Sequence, residues 1–417
     1  MIRTLLLLGA TGDLARRFLL PALGALHSAG RLPDGFRVAG AARRELDEEG
    51  VRRLAGDDIP AEMLSYHSVD LTDPASLAAA LEHPAEPVAV YLALPPATFE
   101  TAIESLCQID LPAGSRVVVE NPFGHDLESA RELNALLART GMDAYRADHV
   151  LGMGTVQNLV AMRHANPVLE RLWNGGSVEQ VEILWEETLA LEGRAGYYDH
   201  AGALRDVLQS HMLQVLVLVG MEPPAHEAEL HARKLDAISS VRLAGSGRRA
   251  RYSAGTLADG REVGAYADEE GVDPARCTET FAELELELVN QRWNGTRFVL
   301  RAGKALSCRR KLVLLRFRGG GELELGIDGP EDVVLRLAGV ASRPLELRAP
   351  AVGDGLPPYA QVFLDVLLGT SALSVSGEGA ERCWQVVAPA LAAWEAGRVP
   401  LEQYPAGSAG PSSSGSI

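Results

Sequence analysis

Asp148 and His149 stand side by side in RADHVLGMGTVQN (residues 146–158), and His211 sits in RDVLQSHMLQVLVLV (residues 205–219). A carboxylate and an imidazole are the pair that acid–base chemistry near neutral pH uses: the imidazole takes the proton, and the carboxylate fixes its tautomer and stabilises its cation. Taken alone, Asp148 and His149 fit a helix start with a solvated neighbour as well as they fit a site. His211 has Val207, Leu208 and Val215 at three- and four-residue spacings, the setting of a hydrogen-bonded core histidine as much as of a base. Asp206 lies five residues earlier, about 140° away on an α-helical wheel, so it is expected to bind a substrate hydroxyl beside the base rather than pair with it. A carboxylate to orient His211 must then come from elsewhere, and Asp148 is the candidate.

LLLLGATGDLARR (residues 5–17) places Gly9 and Gly12 between an apolar run and a helical one, with the small Ala15 where close helix packing is required. Glycines let the backbone approach a pyrophosphate, and the free N–H groups of a helix start attract its charge. Thr11, Asp13 and Leu14 complete this loop, with Asp13 in a helix-start role. A tight strand-to-helix turn with nothing bound is the plain alternative, but the position after the very first strand favours a dinucleotide. The second strand ends in Ala42-Arg43-Arg44, where an NAD enzyme commonly shows an acidic residue for the ribose hydroxyls. A guanidinium there grips a 2′-phosphate, which favours NADP; a solvated arginine pair starting a helix is the alternative. Further strand-end loops carry Leu94, Pro95 and Pro96, which shape a loop under the nicotinamide or simply stop a strand, and Glu120, Asn121 and Pro122. With Asp148 and His149 they are expected at the carboxyl edge of a parallel sheet, where such folds bind ligands.

A chain of 417 residues is too long for one ordinary core, and 47% hydrophobic with 23% charged residues is the balance of a soluble globular protein with two domains. A net charge of −17 argues against nucleic acid or an anionic membrane surface as a partner, so an anionic substrate needs local positive groups. Cys107, Cys277, Cys308 and Cys383 stand singly, without the spacing of a zinc site or a disulfide framework, a pattern that suits the cytoplasm. No ligand spacing implies a catalytic metal. The opening MIRTLLLLGATG reads as a strand running into a glycine loop rather than a signal peptide, and no apolar stretch approaches the roughly 18 residues that cross a bilayer.

Residues 1–148 alternate buried-strand runs (TLLLL, FRVAGAA, VAVYLAL, RVVVE, MDAYRA) with helical segments such as DLARRFLLPALGALHSAG. That order predicts a Rossmann-like α/β coenzyme domain with a parallel sheet covered on both faces. From 149 to 404 one long apolar helix is followed by period-two segments such as TFAELELELVNQRW and KLVLLRFRGGGELELGI, which predict an α+β domain with a large antiparallel sheet. Residues 405–417, rich in glycine and serine, are expected to be disordered.

Taken together these motifs resemble the glucose-6-phosphate dehydrogenase family. GATGDLARR, YLALPP, VVVENPFG, RADHVLG with VQNL, EGRAGYYDHAGALRDVLQSHMLQ, RWNGTRFVLRAGKAL, YAQVFLDVLLG and YPAGSAGP follow the family's order over nearly the whole chain. The resemblance implies that His211 is the base removing the C1 hydroxyl proton while hydride passes to the nicotinamide, and that Asp148 holds its imidazole. It gives Glu187 and Asp206 the sugar hydroxyls, and His149 and Lys304 the substrate phosphate. It also implies a homodimer formed through the large sheet.

Three positions depart from the family pattern. Where the family usually has Tyr-Leu-Gly-Lys after the Asp-His pair, with the tyrosine and lysine on the phosphate, Val150 and Met153 stand here; Glu-Lys-Pro has become Glu120-Asn121-Pro122, leaving Asn121 to face sugar and coenzyme. The chain is also shorter than usual around residues 312–350. Replacing a charged phosphate ligand by an apolar side chain costs about 2 to 5 kcal/mol where the partner charge is desolvated. Arg309 or Lys311 is available to compensate. Glucose 6-phosphate therefore competes with an unphosphorylated sugar or a carbasugar phosphate as the expected substrate, and a non-catalytic NADP-binding homologue is the alternative from another functional class.

Overall fold

A strand buried on both faces needs a continuous apolar run rather than alternation, and TLLLL supplies one: Leu5, Leu6, Leu7 and Leu8 are completely buried. The computed structural model describes residues 1–56, 59–82, 84–191, 193, 195–328, 332–339, 345–350 and 355–412. They divide into two compact units, Met1–Gly154 with Gly353–Glu381, and Thr155–Val352 with Arg382–Ile417.

The first unit is built on a six-stranded parallel sheet. Its strands are β1 (Thr4–Leu8), β2 (Arg37–Ala42), β3 (Leu64–Ser68), β4 (Val88–Leu92), β5 (Arg116–Glu120) and β6 (Asp143–Ala147), in the order β3-β2-β1-β4-β5-β6. The order reverses between β1 and β4, the switch point at which doubly wound sheets open a crevice. One difference from expectation is the segment Gly353–Glu381, which lies in this unit rather than in the second. Its helix Pro358–Leu368 is apolar almost all round, with Ala360, Val362, Phe363, Val366 and Leu367 buried, so it needs a surface to cover. It finds one on this sheet: Phe363 packs on Tyr91 with ring centroids 5.6 Å apart, Tyr145 donates to Asp365 Oδ2 at 2.6 Å, and the Ile2 N–H donates to Leu367 O at 2.8 Å.

The second unit carries β7 (Val178–Glu186), β8 (Val241–Leu243), β9 (Arg248–Ser253), the two-stranded pair β10 (Gly255–Thr256) and β11 (Glu262–Val263), then β12 (Phe281–Leu288), β13 (Arg297–Gly303), β14 (Arg310–Phe317), β15 (Glu322–Gly326), β16 (Asp332–Leu337), β17 (Leu345–Pro350) and β18 (Leu401–Pro405). The large sheet runs β17-β16-β15-β14-β7-β13-β12-β9-β18, with β8 added on β12. It is mostly antiparallel, but β7 and β13 pair in parallel, as do β9 and β18. Parallel neighbours require a crossover connection, and the chain between β7 and β13 contains the long apolar helix.

The register of three strands builds the site. Glu186 on β7 stands opposite Gly303 on β13 and Arg310 on β14, so Glu187 and Lys304, just beyond, and Lys311, one residue inside β14 opposite Trp185, lie at the same end of the sheet. Part of the segment expected to be disordered is held there too. After β18, Gly407 N–H donates to Ala305 O and Ser307 N–H to Ser408 O, both at 2.8 Å, and Ala406 is buried. Small residues are what this close approach needs, because a Cβ on Gly407 would stand 1.8 Å from Thr256 O. Residues 413–417 of the expected tail lie outside the described residues.

Candidate active site

In the first unit the loop after β1 turns at Gly9, whose φ of +85° and whose approach to β4 both demand glycine: a Cβ would stand 2.1 Å from Ala93 O. The loop borders a cavity of about 530 Å³ lined by Gly9, Thr11, Gly12, Arg43, Arg44, Leu94 and Pro95 among others. Arg43 and Arg44 are exposed at its edge, and their carbonyls are tied down by Ser68 Oγ at 3.3 Å and by the Tyr66 hydroxyl. Backbone anchored this way leaves the guanidinium groups facing outward, and their fork geometry suits a phosphate monoester. Residues of this kind fit a dinucleotide with a 2′-phosphate.

Other residues expected around the coenzyme take different places. Asp13 is exposed and pairs with Arg17 at 3.2 Å instead of capping the helix, and neither it nor Leu14 lines the cavity. Pro96 borders a separate hollow with Pro122 and His125. Glu120 is buried at the end of β5, accepting from the Tyr91 hydroxyl, with the Tyr359 hydroxyl 3.5 Å from its other oxygen. Asn121 has a buried amide nitrogen without a hydrogen-bond partner among the described residues, the kind of group that a bound ligand satisfies.

Asp148 is completely buried at the end of β6 and caps the short helical turn His149–Gly152, its Oδ1 accepting from Val150 N–H at 3.1 Å. His149 stacks on Tyr359 with centroids 5.5 Å apart and planes 20° apart, and Phe18 packs on the same tyrosine at 6.0 Å. Gly152 is required because a Cβ there would meet Pro358 O at 2.2 Å. Val150 is fully buried and Met153 half-buried.

In the second unit His211 lies near the end of a helical stretch, Leu204–Met212, that is wound with i→i+5 spacing; Leu213 N–H donates to Leu208 O. This corrects the angular expectation for Asp206. An α-helical wheel separates residues five apart by about 140°, whereas i→i+5 winding brings them about one turn apart on the same side. The helix is fixed at both ends. Leu204 N–H donates to the buried Glu279 Oε1 at 3.0 Å. At the other end Arg163 donates to Leu218 O, Val219 O and Met221 O at 2.8, 3.2 and 2.7 Å, while the Trp173 and Trp293 indoles donate to Val219 O and Gly220 O at 2.8 and 2.7 Å.

Polar groups gather at the same end of β7. Lys304 Nζ pairs with Glu187 Oε2, and Lys311 Nζ lies 3.0 Å from Glu187 Oε1 and 3.1 Å from Asp328 Oδ2. Burial pushes the Glu187 carboxyl up, but Lys304 and Lys311 outweigh it and hold the pKa below the ordinary glutamate value. Arg309 is turned toward Asp328 at 2.7 Å. Trp185 stacks on His211 with centroids 6.1 Å apart, and Lys311 Nζ stands 4.5 Å from the centre of its ring. Sequence reasoning missed Trp185 and Tyr359, because neither an aromatic at a strand end nor one in an apolar helix differs in type from an ordinary core residue.

The model described as the glucose-6-phosphate dehydrogenase NAD binding domain matches residues 6–158, and that of the same family's C-terminal domain matches 160–336 and 340–417. The chain belongs to the glucose-6-phosphate dehydrogenase family. Its curated relatives include glucose-6-phosphate 1-dehydrogenase 2 of Mycobacterium tuberculosis, 36% identical over 98% of this chain and 91% of that one. Among solved structures, a glucose-6-phosphate dehydrogenase in complex with its substrate glucose-6-phosphate superposes with a TM-score of 0.89 at 28% identity, covering 99% of this chain and 96% of that one. Glucose-6-phosphate 1-dehydrogenase from Mycobacterium avium gives 0.85 at 31% identity, with the same coverages of 99% and 96%. Membership of the glucose-6-phosphate dehydrogenase family thus spans both units. Among the described residues, no helix is long and apolar enough to cross a membrane.

Proposed function

We propose that this chain is an NADP-dependent dehydrogenase acting on the C1 hydroxyl of a sugar, with glucose 6-phosphate as substrate. The second unit supports it most directly: His211, Trp185, Glu187, Lys304 and Lys311 occupy one end of β7. His211 takes the hydroxyl proton, and Asp148 is the carboxylate to which the family resemblance gives the orienting role. Glu187 and Asp206 bind sugar hydroxyls, His149 and Lys304 bind the phosphate, and Arg309 and Asn121 stand as further substrate contacts. Gly9, Thr11 and Gly12 receive the pyrophosphate, and Arg43 and Arg44 the 2′-phosphate. NADP, held by these residues, would supply the acceptor for the hydride of C1, so that the sugar would leave as a lactone.

An unphosphorylated sugar is the second substrate to consider, favoured by the buried Val150 and the uncharged Met153. The protein works as a cytoplasmic homodimer; Leu345 and Leu347, 53% and 52% exposed on the edge strand β17, are apolar groups that a subunit contact would cover. The test is the absorbance of reduced nicotinamide after mixing protein and NADP with a panel of sugars and cyclitols, with and without phosphate. Activity on glucose 6-phosphate supports the assignment; no activity on any of them points to a non-catalytic coenzyme-binding protein.

A further inference from the structure

β3 is a polar edge strand whose side chains sort by face. Ser65 and His67 are tied to each other, His67 Nε2 standing 3.2 Å from Ser65 Oγ. Tyr66 and Ser68 lie on the other face, and both hydroxyls reach beyond their own strand: Tyr66 Oη donates to Arg44 O, and Ser68 Oγ to Arg43 O at 3.3 Å. The ladder between β2 and β3 ends at Ala42 opposite Ser68, with Val69 N–H donating to Ala42 O at 3.0 Å. Tyr66 stands opposite Gly40, four residues before Arg44, so the chain after β2 folds back over β3 for the two to meet. The Tyr66 ring packs against the core of the first unit, as does Leu46, and Asp47 caps the helix Glu48–Ala55 by accepting from Gly50 N–H at 2.8 Å. The turn Arg43–Glu45 is therefore fixed at both ends, and among the described residues the two hydroxyls make the hydrogen bonds that Arg43 and Arg44 have between those ends.

A trans peptide points its C=O and its N–H in opposite directions. Turning the carbonyls of Arg43 and Arg44 onto β3 thus turns the N–H groups of Arg44 and Glu45 away from it, and keeps two partially negative oxygens from an anion on the other side. Arg43 and Arg44 line the coenzyme cavity, whereas Tyr66 and Ser68 stand outside its lining. The phenol keeps its proton for this bond, because burial pushes its pKa above the ordinary tyrosine value against the pull of the Arg44 charge.

We propose that Tyr66 is a positioning residue for coenzyme choice: its hydroxyl, together with that of Ser68, sets the turn Arg43–Glu45 so that guanidinium and N–H donors face a 2′-phosphate, and so favours NADP over NAD. This rests on the assignment of the 2′-phosphate to Arg43 and Arg44 and deepens it. NAD lacks the group that the turn addresses. A hydroxyl that merely held β2 in place would act on both coenzymes alike, because β2 also holds the glycine loop, Ala41 O accepting from Gly9 and Ala10 N–H at 2.8 and 3.1 Å.

The test is equilibrium binding of NADP and of NAD to the full chain, read by calorimetry, in the wild type, Tyr66→Phe, Ser68→Ala, the double variant and His67→Ala. Tyr66→Phe removes one oxygen and leaves the ring on the core. The wild type is expected to bind NADP the more tightly. That preference should fall about three- to tenfold in Tyr66→Phe, the worth of one neutral hydrogen bond, and further in the double variant, while the affinity for NAD stays within about twofold of the wild type. His67→Ala, on the opposite face of the strand, should keep the preference. An unchanged preference in Tyr66→Phe overturns the proposal. So does an equal loss of affinity for both coenzymes, which makes the hydroxyl a structural tie, and so does an equal loss of preference in His67→Ala. If Arg43→Ala loses the preference and Tyr66→Phe keeps it, this proposal alone fails. A wild type that binds the two coenzymes equally contradicts the 2′-phosphate assignment and this proposal with it.

Discussion

Trp185 and His211 stack in the second unit, their ring centroids 6.1 Å apart and their planes 24° apart. The tryptophan belongs to the end of β7, a central strand of the large sheet, and the histidine to a helix fixed at both ends by Glu279, Arg163, Trp173 and Trp293. A general base acts only in a narrow range of orientations. For His211, the base proposed above, the range is limited by a rigid strand on one side and an anchored helix on the other.

Replacing the imidazole by an amide of similar size removes the proton acceptor and keeps the packing. His211→Asn is expected to lower kcat by about 10² to 10⁴-fold while NADP binding, measured by fluorescence titration, stays as in the wild type. Turnover close to wild type in this variant removes His211 from the role of base.

Arg163 is 2% exposed, pairs with Glu170 at 3.0 Å, lies over the Trp173 ring at 5.4 Å and satisfies the last carbonyls of the His211 helix. Arg163→Ala takes the side-chain donor from Leu218 O and Met221 O, and leaves Glu170 to Arg292 and Val219 O to the Trp173 indole. Urea unfolding is expected to show a loss of about 3 to 5 kcal/mol; a loss under about 1 kcal/mol contradicts the anchoring role.

At the coenzyme cavity, Arg43→Ala is expected to raise the Michaelis constant for NADP by about tenfold or more, the worth of one charge-assisted phosphate contact, and to leave that for NAD within about twofold. Equal effects on both coenzymes take the 2′-phosphate away from Arg43.

Asp199, buried beside Tyr198, is a hub that accepts from Tyr266 Oη at 2.8 Å, Asp273 N–H at 3.0 Å and Arg276 at 2.9 Å. Burial pushes its carboxyl up, but these three donors outweigh burial and hold the pKa below the ordinary aspartate value. A folded pKa below the unfolded one means that the unfolded chain binds the proton more readily. The stabilisation is therefore present above the usual aspartate range and disappears as pH falls through the depressed folded value. Asp199→Asn is expected to be less stable than the wild type at neutral pH, with the gap narrowing below about pH 4. A gap that stays constant from pH 7 to acid, in denaturant titrations, contradicts this role.

The sequence made much of this legible, and the failures have physical causes. The runs at Thr4–Leu8, Arg37–Ala42, Val88–Leu92, Arg116–Glu120 and Asp143–Ala147 could be read because strands buried on both faces are apolar throughout. The edge strand Leu64–Ser68 escaped because Ser65 and Ser68 are exposed and Tyr66 and His67 only partly buried, so the run looks like a loop. The helix Pro358–Leu368 entered the sequence reading only as the motif YAQVFLDVLLG, and nothing in its apolar composition says which sheet it covers. Asp206 was misplaced on the helix because local winding is not encoded in spacing. The pairing of Lys304 and Lys311 on Glu187 depends on the register of β7, β13 and β14, which brings together residues more than a hundred positions apart.

The most direct measurement is the initial rate of NADPH formation by the purified chain with glucose 6-phosphate, run beside His211→Asn. The account predicts sustained turnover by the wild type that the variant all but loses. A wild type that binds NADP and glucose 6-phosphate yet forms no NADPH, or a variant that matches it in rate, contradicts the account.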